Sequence, residues 1–188
     1  HIPFCKQSCY YCDFHFSTNQ KLKEDLVKAL CKEISLQKDY FTAPPESQVG
    51  SWQKTVGKRQ LAKLPTVHSQ LPTWDSGGAL DTIYLGGGTP SLLSEKELDQ
   101  ILTAISKYFK LNDKVEITLE ANPDDLTKEN LKLLRRAGIN RLSIGVQSFD
   151  DKHLRFLNRV HNALEAKKSI ELAQNAGFDN RNIDLIYG

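Results

Sequence analysis

Apolar residues recur along the chain with two different periods, one typical of helices and one typical of strands. Between about Asn19 and Tyr40 the apolar residues stand at every fourth position, which predicts one face of a helix. These residues are Leu22, Leu26, Leu30 and Ile34. Further along, Leu142, Ile144 and Val146 alternate with small or polar residues, which predicts a strand.

Strand-like and helix-like segments alternate over most of the chain. Five strands are predicted, at residues 1–4, 81–86, 115–120, 142–147 and 183–187. Helices are predicted at 19–40, 94–105, 127–137 and within 150–176, and a capping box at Ser94 begins the second of them. Regular β/α alternation implies an α/β fold with a parallel sheet, either open or closed into a barrel.

One long segment, residues 43–80, interrupts this alternation between a helix and the next strand. It holds four of the seven prolines and both tryptophans, without sustained periodicity. Connections in β/α units usually span about 2–6 residues, so this segment is an insertion. We interpret it as a tolerated irregular insertion; the alternative is a partner-binding loop built around Trp52 and Trp74.

Composition narrows the possible classes of protein. A length of 188 residues suits one domain, and a net charge of +2 favours neither nucleic acid nor an anionic membrane as a partner. No apolar run reaches the roughly 20 residues that a membrane-spanning helix needs. The chain has no methionine, and it begins and ends in strand-like runs. We therefore interpret it as the middle of a longer polypeptide, incomplete at both ends.

Three of the four cysteines, Cys5, Cys9 and Cys12, stand within eight residues of each other. Clustered cysteines indicate metal or redox chemistry in a reducing compartment, which favours a cytoplasmic protein. A structural zinc site normally has four ligands, and the fourth cysteine, Cys31, falls beside the apolar face of a predicted helix. Three thiolates on an iron–sulfur cluster leave one iron open for another ligand.

The run HIPFCKQSCYYCDF, with GGGTP at residues 86–90, resembles the radical S-adenosylmethionine (SAM) superfamily. Within it, the chain resembles the branch of oxygen-independent coproporphyrinogen dehydrogenases and HemW-type heme chaperones. The resemblance covers residues 1–41 and 81–188. It implies that residues 1–188 are a radical SAM core domain, a partial TIM-like (β/α)6 barrel of about five parallel strands. It also implies a 4Fe-4S cluster held by the three clustered cysteines.

The same resemblance implies which residues contact SAM. The glycine run and Thr89 correspond to the motif that contacts the methionyl amino group, and Arg159 corresponds to the arginine that binds the carboxylate. Gln147 and Asp184 match positions associated with the ribose, and Glu120 matches an acid that contacts SAM. The implied SAM-binding residues are Tyr11, Gly86, Gly87, Gly88, Thr89, Glu120, Gln147, Arg159 and Asp184.

Phe14 distinguishes the two activities of this branch. The dehydrogenases carry a further cysteine two residues after the last cluster cysteine, and Phe14 occupies that position here. The favoured interpretation is therefore a heme chaperone, with heme as a further ligand and with a reductant protein and a heme acceptor as partners. A coproporphyrinogen dehydrogenase of porphyrin biosynthesis and a zinc-bound structural domain are the alternatives, so whether the chain is an enzyme stays open.

The histidines do not identify a heme ligand. His15, His68, His153 and His161 show no mutual ligand spacing, and we expect each to be a surface or packing residue.

Overall fold

The computed structural model of the chain describes residues 1–40 and 78–187. Of the predicted insertion, residues 43–80, only the last three positions fall within the described residues. The interpretation of that insertion therefore remains a prediction.

Four strands, numbered here in chain order, form one parallel sheet with the order β1-β2-β3-β4. They are β1 (Leu80–Leu85), β2 (Leu111–Ala121), β3 (Arg141–Gln147) and β4 (Asn180–Leu185). The helices are α1 (Lys23–Leu36), α2 (Glu95–Tyr108), α3 (Lys128–Arg136), α4 (Asp151–Phe156) and α5 (Ala163–Asn175). The α/β architecture and the parallel sheet predicted from the sequence are confirmed.

The first predicted strand, residues 1–4, differs from the prediction. Ile2 and Phe4 make only isolated bridges, to Gly87 and Ser17 respectively. Ile2 thus pairs with the loop beyond the end of β1, and Gly87 in that loop has a φ of +122°. A residue in that conformation turns the backbone out of the extended form, so a regular ladder cannot continue there. The described residues therefore form four strands, not about five.

Local sequence explains where several helices begin. Ser94 and Asn162 each complete a capping box, with Glu97 and Glu165 as the third helical residues of α2 and α5. The helical stretch predicted within 150–176 is divided, because Asn158 adopts a φ of +56° between α4 and α5. The predicted helix over 19–40 is shorter at both ends, with a 3-10 turn at Gln20–Leu22 before α1.

The two faces of the sheet carry different side chains. One face is apolar and packs with the helices into a single buried cluster; we call it the outer face. It includes Ile83, Leu85, Ile117, Leu119, Leu142, Ile144 and Val146 from the strands and Leu98, Ile101, Leu131 and Leu134 from the helices. Side chains of successive strand residues point to opposite faces of the sheet. The alternation of apolar and polar residues along each strand therefore makes one face apolar and the other polar.

The opposite face, called the inner face here, is polar. Arg141 donates hydrogen bonds to Thr118 Oγ1 at 3.3 Å and to Asn182 Oδ1 at 2.9 Å, and thereby connects β2, β3 and β4. The strand register places Glu120 opposite Ser143 and Ser143 opposite Asn182. Hydrogen bonds between side chains thus stabilise the inner face, whereas apolar packing stabilises the outer face.

None of the helices among residues 1–40 and 78–187 is both long enough and apolar enough to cross a lipid bilayer.

Candidate functional site

A cavity of about 210 Å³ lies at the carboxyl ends of the strands. Its walls come from the cysteine loop (residues 5–12), the aromatic residues just after it, the glycine turn (residues 86–89) and the ends of β2, β3 and β4. Arg159, between α4 and α5, completes it. The carboxyl edge of a parallel sheet is where ligands bind in α/β folds, so the topology itself selects this cavity.

Backbone hydrogen bonds attach the segment before the cysteine loop to the glycine turn. Ile2 N donates to Gly86 O at 2.8 Å, Gly88 N donates to Ile2 O at 2.8 Å, and Thr89 N donates to Phe4 O at 2.8 Å. A Cβ at position 88 would lie 2.7 Å from Ile2 O, a contact that the backbone cannot accommodate. Glycine at this position therefore allows the two segments to approach closely enough to place Cys5 at the cavity.

The three cysteines of the loop are free thiols at the cavity wall. Burial raises the pKa of the Cys5 thiol, and a hydrogen bond with Thr89 and the charge of Arg159 oppose that rise. Among the described residues, no group of three or more histidine, cysteine, aspartate or glutamate side chains could hold a single metal ion. The three cysteine ligands of a cubane cluster bind different irons, so they need not converge on one point.

Arg159 connects the cysteine loop with the strand ends. Its Nη1 donates to Cys9 Sγ and to Tyr11 Oη, both at 3.3 Å, and its Nη2 donates to Asn122 Oδ1 at 2.6 Å. Nη2 also donates to Gly145 O at 2.8 Å. The Nε atom is buried and has no hydrogen-bond partner within the described part of the chain. A cationic fork with a free donor in a cavity is suited to bind a carboxylate.

Glu120 is held by the residues around the glycine turn. One carboxylate oxygen accepts a hydrogen bond from Gly87 N at 2.9 Å, and the other accepts from Tyr84 Oη at 2.8 Å. The carboxylate thus has a fixed orientation at the cavity wall before any ligand binds.

Asp184 and Gln147 come from the ends of the last two strands. Asp184 accepts hydrogen bonds from Ser143 Oγ at 3.0 Å and from Asn182 Nδ2 at 3.0 Å. Gln147 has a φ of +67°, which is unusual for a residue with a side chain, and its carbonyl accepts a hydrogen bond from Ile186 N at 3.0 Å. Such strain is frequently found at functional sites, where neighbouring contacts maintain it.

The structure brings nearly all of the sequence-predicted site residues to this one cavity. Cys5, Cys9, Cys12, Tyr11, Gly87, Gly88, Thr89, Glu120, Gln147, Arg159 and Asp184 all line it. Gly86 does not line the cavity; its carbonyl instead accepts the hydrogen bond from Ile2 N.

Sequence reasoning missed several residues of the site. Asn122 bridges the glycine turn and Arg159, since its Nδ2 donates to Thr89 Oγ1 at 3.1 Å. Ser143 and Gly145 also line the cavity. The alternation of residues in β3 could have identified Ser143 and Gly145, because it places them on the face opposite Leu142, Ile144 and Val146.

The histidines lie where the sequence indicated, within the described part of the chain. His15 and His153 are exposed, and His161 is buried with its Nε2 3.0 Å from Val146 O. Burial lowers the pKa of His161, which favours the neutral ring. His68 lies outside the described residues.

A family model described as the radical SAM superfamily matches residues 1–188. The chain belongs to the radical SAM superfamily. Members of this superfamily generally use SAM and a 4Fe-4S cluster. The clustered thiols of the cysteine loop provide the ligand type such a cluster needs, and the buried Nε of Arg159 provides a donor for an anionic ligand. The residues present therefore fit both groups.

Two curated relatives and one solved structure that are similar to the chain carry names that refer to heme or coproporphyrinogen. It is 36% identical to "Heme chaperone HemW" of Bacillus subtilis and 35% identical to the protein of that name in Haemophilus influenzae, and both matches cover 100% of this chain. The chain spans 41% and 42% of the length of these two relatives. The solved structure of coproporphyrinogen III oxidase (HemN) from Escherichia coli, a radical SAM enzyme, matches with a TM-score of 0.75 and 29% identity. That match covers 100% of this chain and 36% of the oxidase.

Proposed function

We propose that the chain is the cofactor-binding part of a heme chaperone that binds a 4Fe-4S cluster and SAM. One observation carries the proposal: three cysteines, a cationic fork and the polar ends of three strands line a single cavity. The heme-chaperone relatives support the heme part of the proposal. Heme or a porphyrin, a reductant protein and a heme-acceptor protein are the proposed partners, in the cytoplasm.

Each group at the cavity has a proposed task. Cys5, Cys9 and Cys12 hold the cluster, and Arg159 binds the methionyl carboxylate of SAM through charge-assisted hydrogen bonds. When bound, the cluster and SAM supply one-electron chemistry at the iron that has no cysteine ligand. The work of the protein is to place the two groups and to exclude water from them.

The other polar residues orient the remainder of SAM. The glycine turn and Thr89 would contact the methionyl amino group, and Asp184 and Gln147 would accept hydrogen bonds from the ribose hydroxyls. Glu120 supplies a fixed negative charge beside the glycine turn, where it favours a cationic ligand group. These roles predict that SAM binding weakens when any of these acceptors is removed.

Three aromatic side chains contribute to the cavity wall. Tyr11, Phe14 and Phe16 line the cavity, and Phe14 is 70% exposed. Burial raises the pKa of Tyr11 to about 12, so this phenol stays neutral at physiological pH. An exposed aromatic ring beside the cavity is suited to contact a flat ligand such as a porphyrin.

Phe14 favours heme handling over porphyrinogen oxidation. It stands where the dehydrogenases of this branch carry a further cysteine, so this chain lacks the thiol at that position. The similarity to the E. coli oxidase structure supports the alternative activity, but that protein is less similar in sequence than the heme chaperones.

The test uses the full-length protein, reconstituted without oxygen. We expect iron and sulfide in the stoichiometry of one 4Fe-4S cluster, and a saturable shift of the heme Soret band on titration with heme. Zinc in place of iron would overturn the cluster assignment. Coproporphyrinogen decarboxylation without a Soret shift would identify the oxidase alternative as the correct one.

A further inference from the structure

A second set of contacts, distinct from the cavity wall, holds the cysteine loop. Lys6 follows Cys5 directly, and its ammonium group lies 2.9 Å from Asp124 Oδ2 and also contacts Asp125 Oδ1. The two aspartates follow β2 in the turn Pro123–Asp125. The ion pair therefore connects the cysteine loop with a segment 118 residues away in sequence.

Asp125 is buried, and it contacts a third segment. Its side chain is 3% exposed, and its Oδ2 accepts a hydrogen bond from Ser91 Oγ at 2.7 Å. Ser91 is itself buried and follows the glycine turn by two residues. A single carboxylate thus contacts the cysteine loop through one oxygen and the segment after the glycine turn through the other.

The backbone around Asp125 is fixed independently of this ion pair. Asp125 N donates to Asn122 O at 3.0 Å, and Asn130 Nδ2 donates to Asp125 O at 2.8 Å. The same Asn122 contacts Arg159 and Thr89 in the cavity. The carboxylate therefore sits on a rigid support that also contributes to the cavity wall.

We propose that Lys6 and Asp125 are positioning residues that hold the cysteine loop against the segment that follows the glycine turn, so that retention of the iron–sulfur cluster depends on this ion pair. The inference rests on the proposed function, since it concerns the cluster held by that loop. The contact lies among protein side chains outside the cysteine ligands, so its contribution can be measured separately from them.

Physical chemistry distinguishes this ion pair from an ordinary surface pair. The two carboxylates are 15% and 3% exposed, whereas the Lys6 side chain is 41% exposed. Removal of the cation leaves a buried negative charge that solvent screens only in part, which destabilises the local structure. Lys28 offers a matched control, because it pairs with Glu24 and Asp25 while 61% exposed. Exposed pairs of this kind contribute little to stability.

The first experiment measures how fast the reconstituted full-length protein loses its cluster to an iron chelator without oxygen, followed by visible absorbance. We expect Lys6→Met to lose the cluster about tenfold faster than the parent protein. Lys6→Arg should stay within about threefold of the parent, because a guanidinium can pair with both aspartates. Lys28→Met should match the parent protein.

The second experiment uses the cluster-free protein and needs no metal. Maleimide labelling of each cysteine is followed by peptide mass spectrometry, with Cys31 as the internal reference because its Sγ lies 3.5 Å from Gln100 O, away from the loop. We expect Lys6→Met to speed labelling of Cys5 and Cys9 but to leave Cys31 unchanged. Asp125→Asn should act in the same direction, and Asp124→Asn, at a more exposed carboxylate, more weakly.

Two outcomes would overturn the inference. One is equal cluster loss and equal labelling in Lys6→Met and Lys28→Met. The other is a Lys6→Arg protein as impaired as Lys6→Met, because a general folding defect, in contrast to a lost ion pair, is not rescued by another cation. If the parent protein holds no cluster, the proposed function fails, and the labelling comparison still decides whether Lys6 positions the loop.

Discussion

The outer and inner faces of the same four strands differ in what holds them together. Ile144 on the outer face is fully buried among apolar side chains, whereas Ser143 beside it bonds with Asn182 and Asp184. The outer face is stabilised by burial of apolar surface, an effect that grows with the buried area and has no preferred direction. The inner face depends on hydrogen bonds with defined directions. Because side chains alternate between the two faces, each strand contributes every second residue to the core and the residues between them to the site.

The largest expected effect tests the outer face. Ile144→Ala removes a fully buried side chain from the core cluster and should lower the free energy of unfolding by about 2–5 kcal/mol. Urea unfolding of the cluster-free protein measures this loss. The comparison of the two faces predicts that SAM affinity, measured at a temperature where the variant is folded, changes little. A large loss of affinity would show that the faces are not independent.

The next effect tests Arg159 at the cavity. Arg159→Met removes the charged donors that bond with Asn122 and Gly145, and should weaken SAM binding on the order of 10- to 100-fold. Isothermal calorimetry on the reconstituted protein measures the affinity. Arg159→Lys keeps the charge but loses the fork, so it should recover only part of the affinity. Full recovery in the lysine variant would contradict recognition by the guanidinium group.

A smaller effect is expected at Asp184. Asp184→Asn keeps a carbonyl oxygen but removes the charge, and should weaken SAM binding by about tenfold. Leu185→Ala, at the neighbouring position and half-exposed, is the control and should leave SAM affinity unchanged. Equal losses of affinity in the two variants would show that the end of β4 acts through its backbone and not through this carboxylate.

The smallest expected effect is a pH dependence at His161. Burial lowers the pKa of this ring in the folded protein, so the unfolded chain binds its proton more readily. The neutral ring therefore contributes stability that is present above the ordinary histidine pKa and is lost as the pH falls through the folded value. The slope cannot exceed about 1.4 kcal/mol per pH unit for one proton. Urea unfolding at several pH values should show a flatter profile in His161→Gln than in the parent protein.

The sequence predicted the architecture well where the apolar period was regular. The alternation in β3 and the capping box at Ser94 are local features, and the structure contains both. The prediction failed for residues 1–4, because the pairing of Ile2 depends on the conformation of Gly87, which is distant in sequence. It also missed the break at Asn158, whose positive φ is stabilised by contacts with the cysteine loop, among them a hydrogen bond from its Nδ2 to Ser8 O.

Most residues of the candidate site could be proposed from the sequence because of their resemblance to family motifs. The residues that support them could not be found in that way. Asn122 and Asp125 act through contacts with segments that are close only after folding, and no local period marks such contacts. The two residues nevertheless lie in the connection that follows β2, whose end carries Glu120, so this one segment supplies both a predicted site residue and its supports.

The contacts of Arg159 with the cysteine loop also bear on when the centre can be assembled in the cell. Cys9 and Arg159 are 150 residues apart, and the loop contacts Asn158 at a similar separation. A ribosome makes the cysteines first, and several further seconds of synthesis pass before Arg159 emerges, at roughly 5–20 residues per second. During that interval the thiols lack the cation beside them. We expect delivery of iron and sulfide to follow synthesis of β3 and α4, and not to accompany the nascent loop.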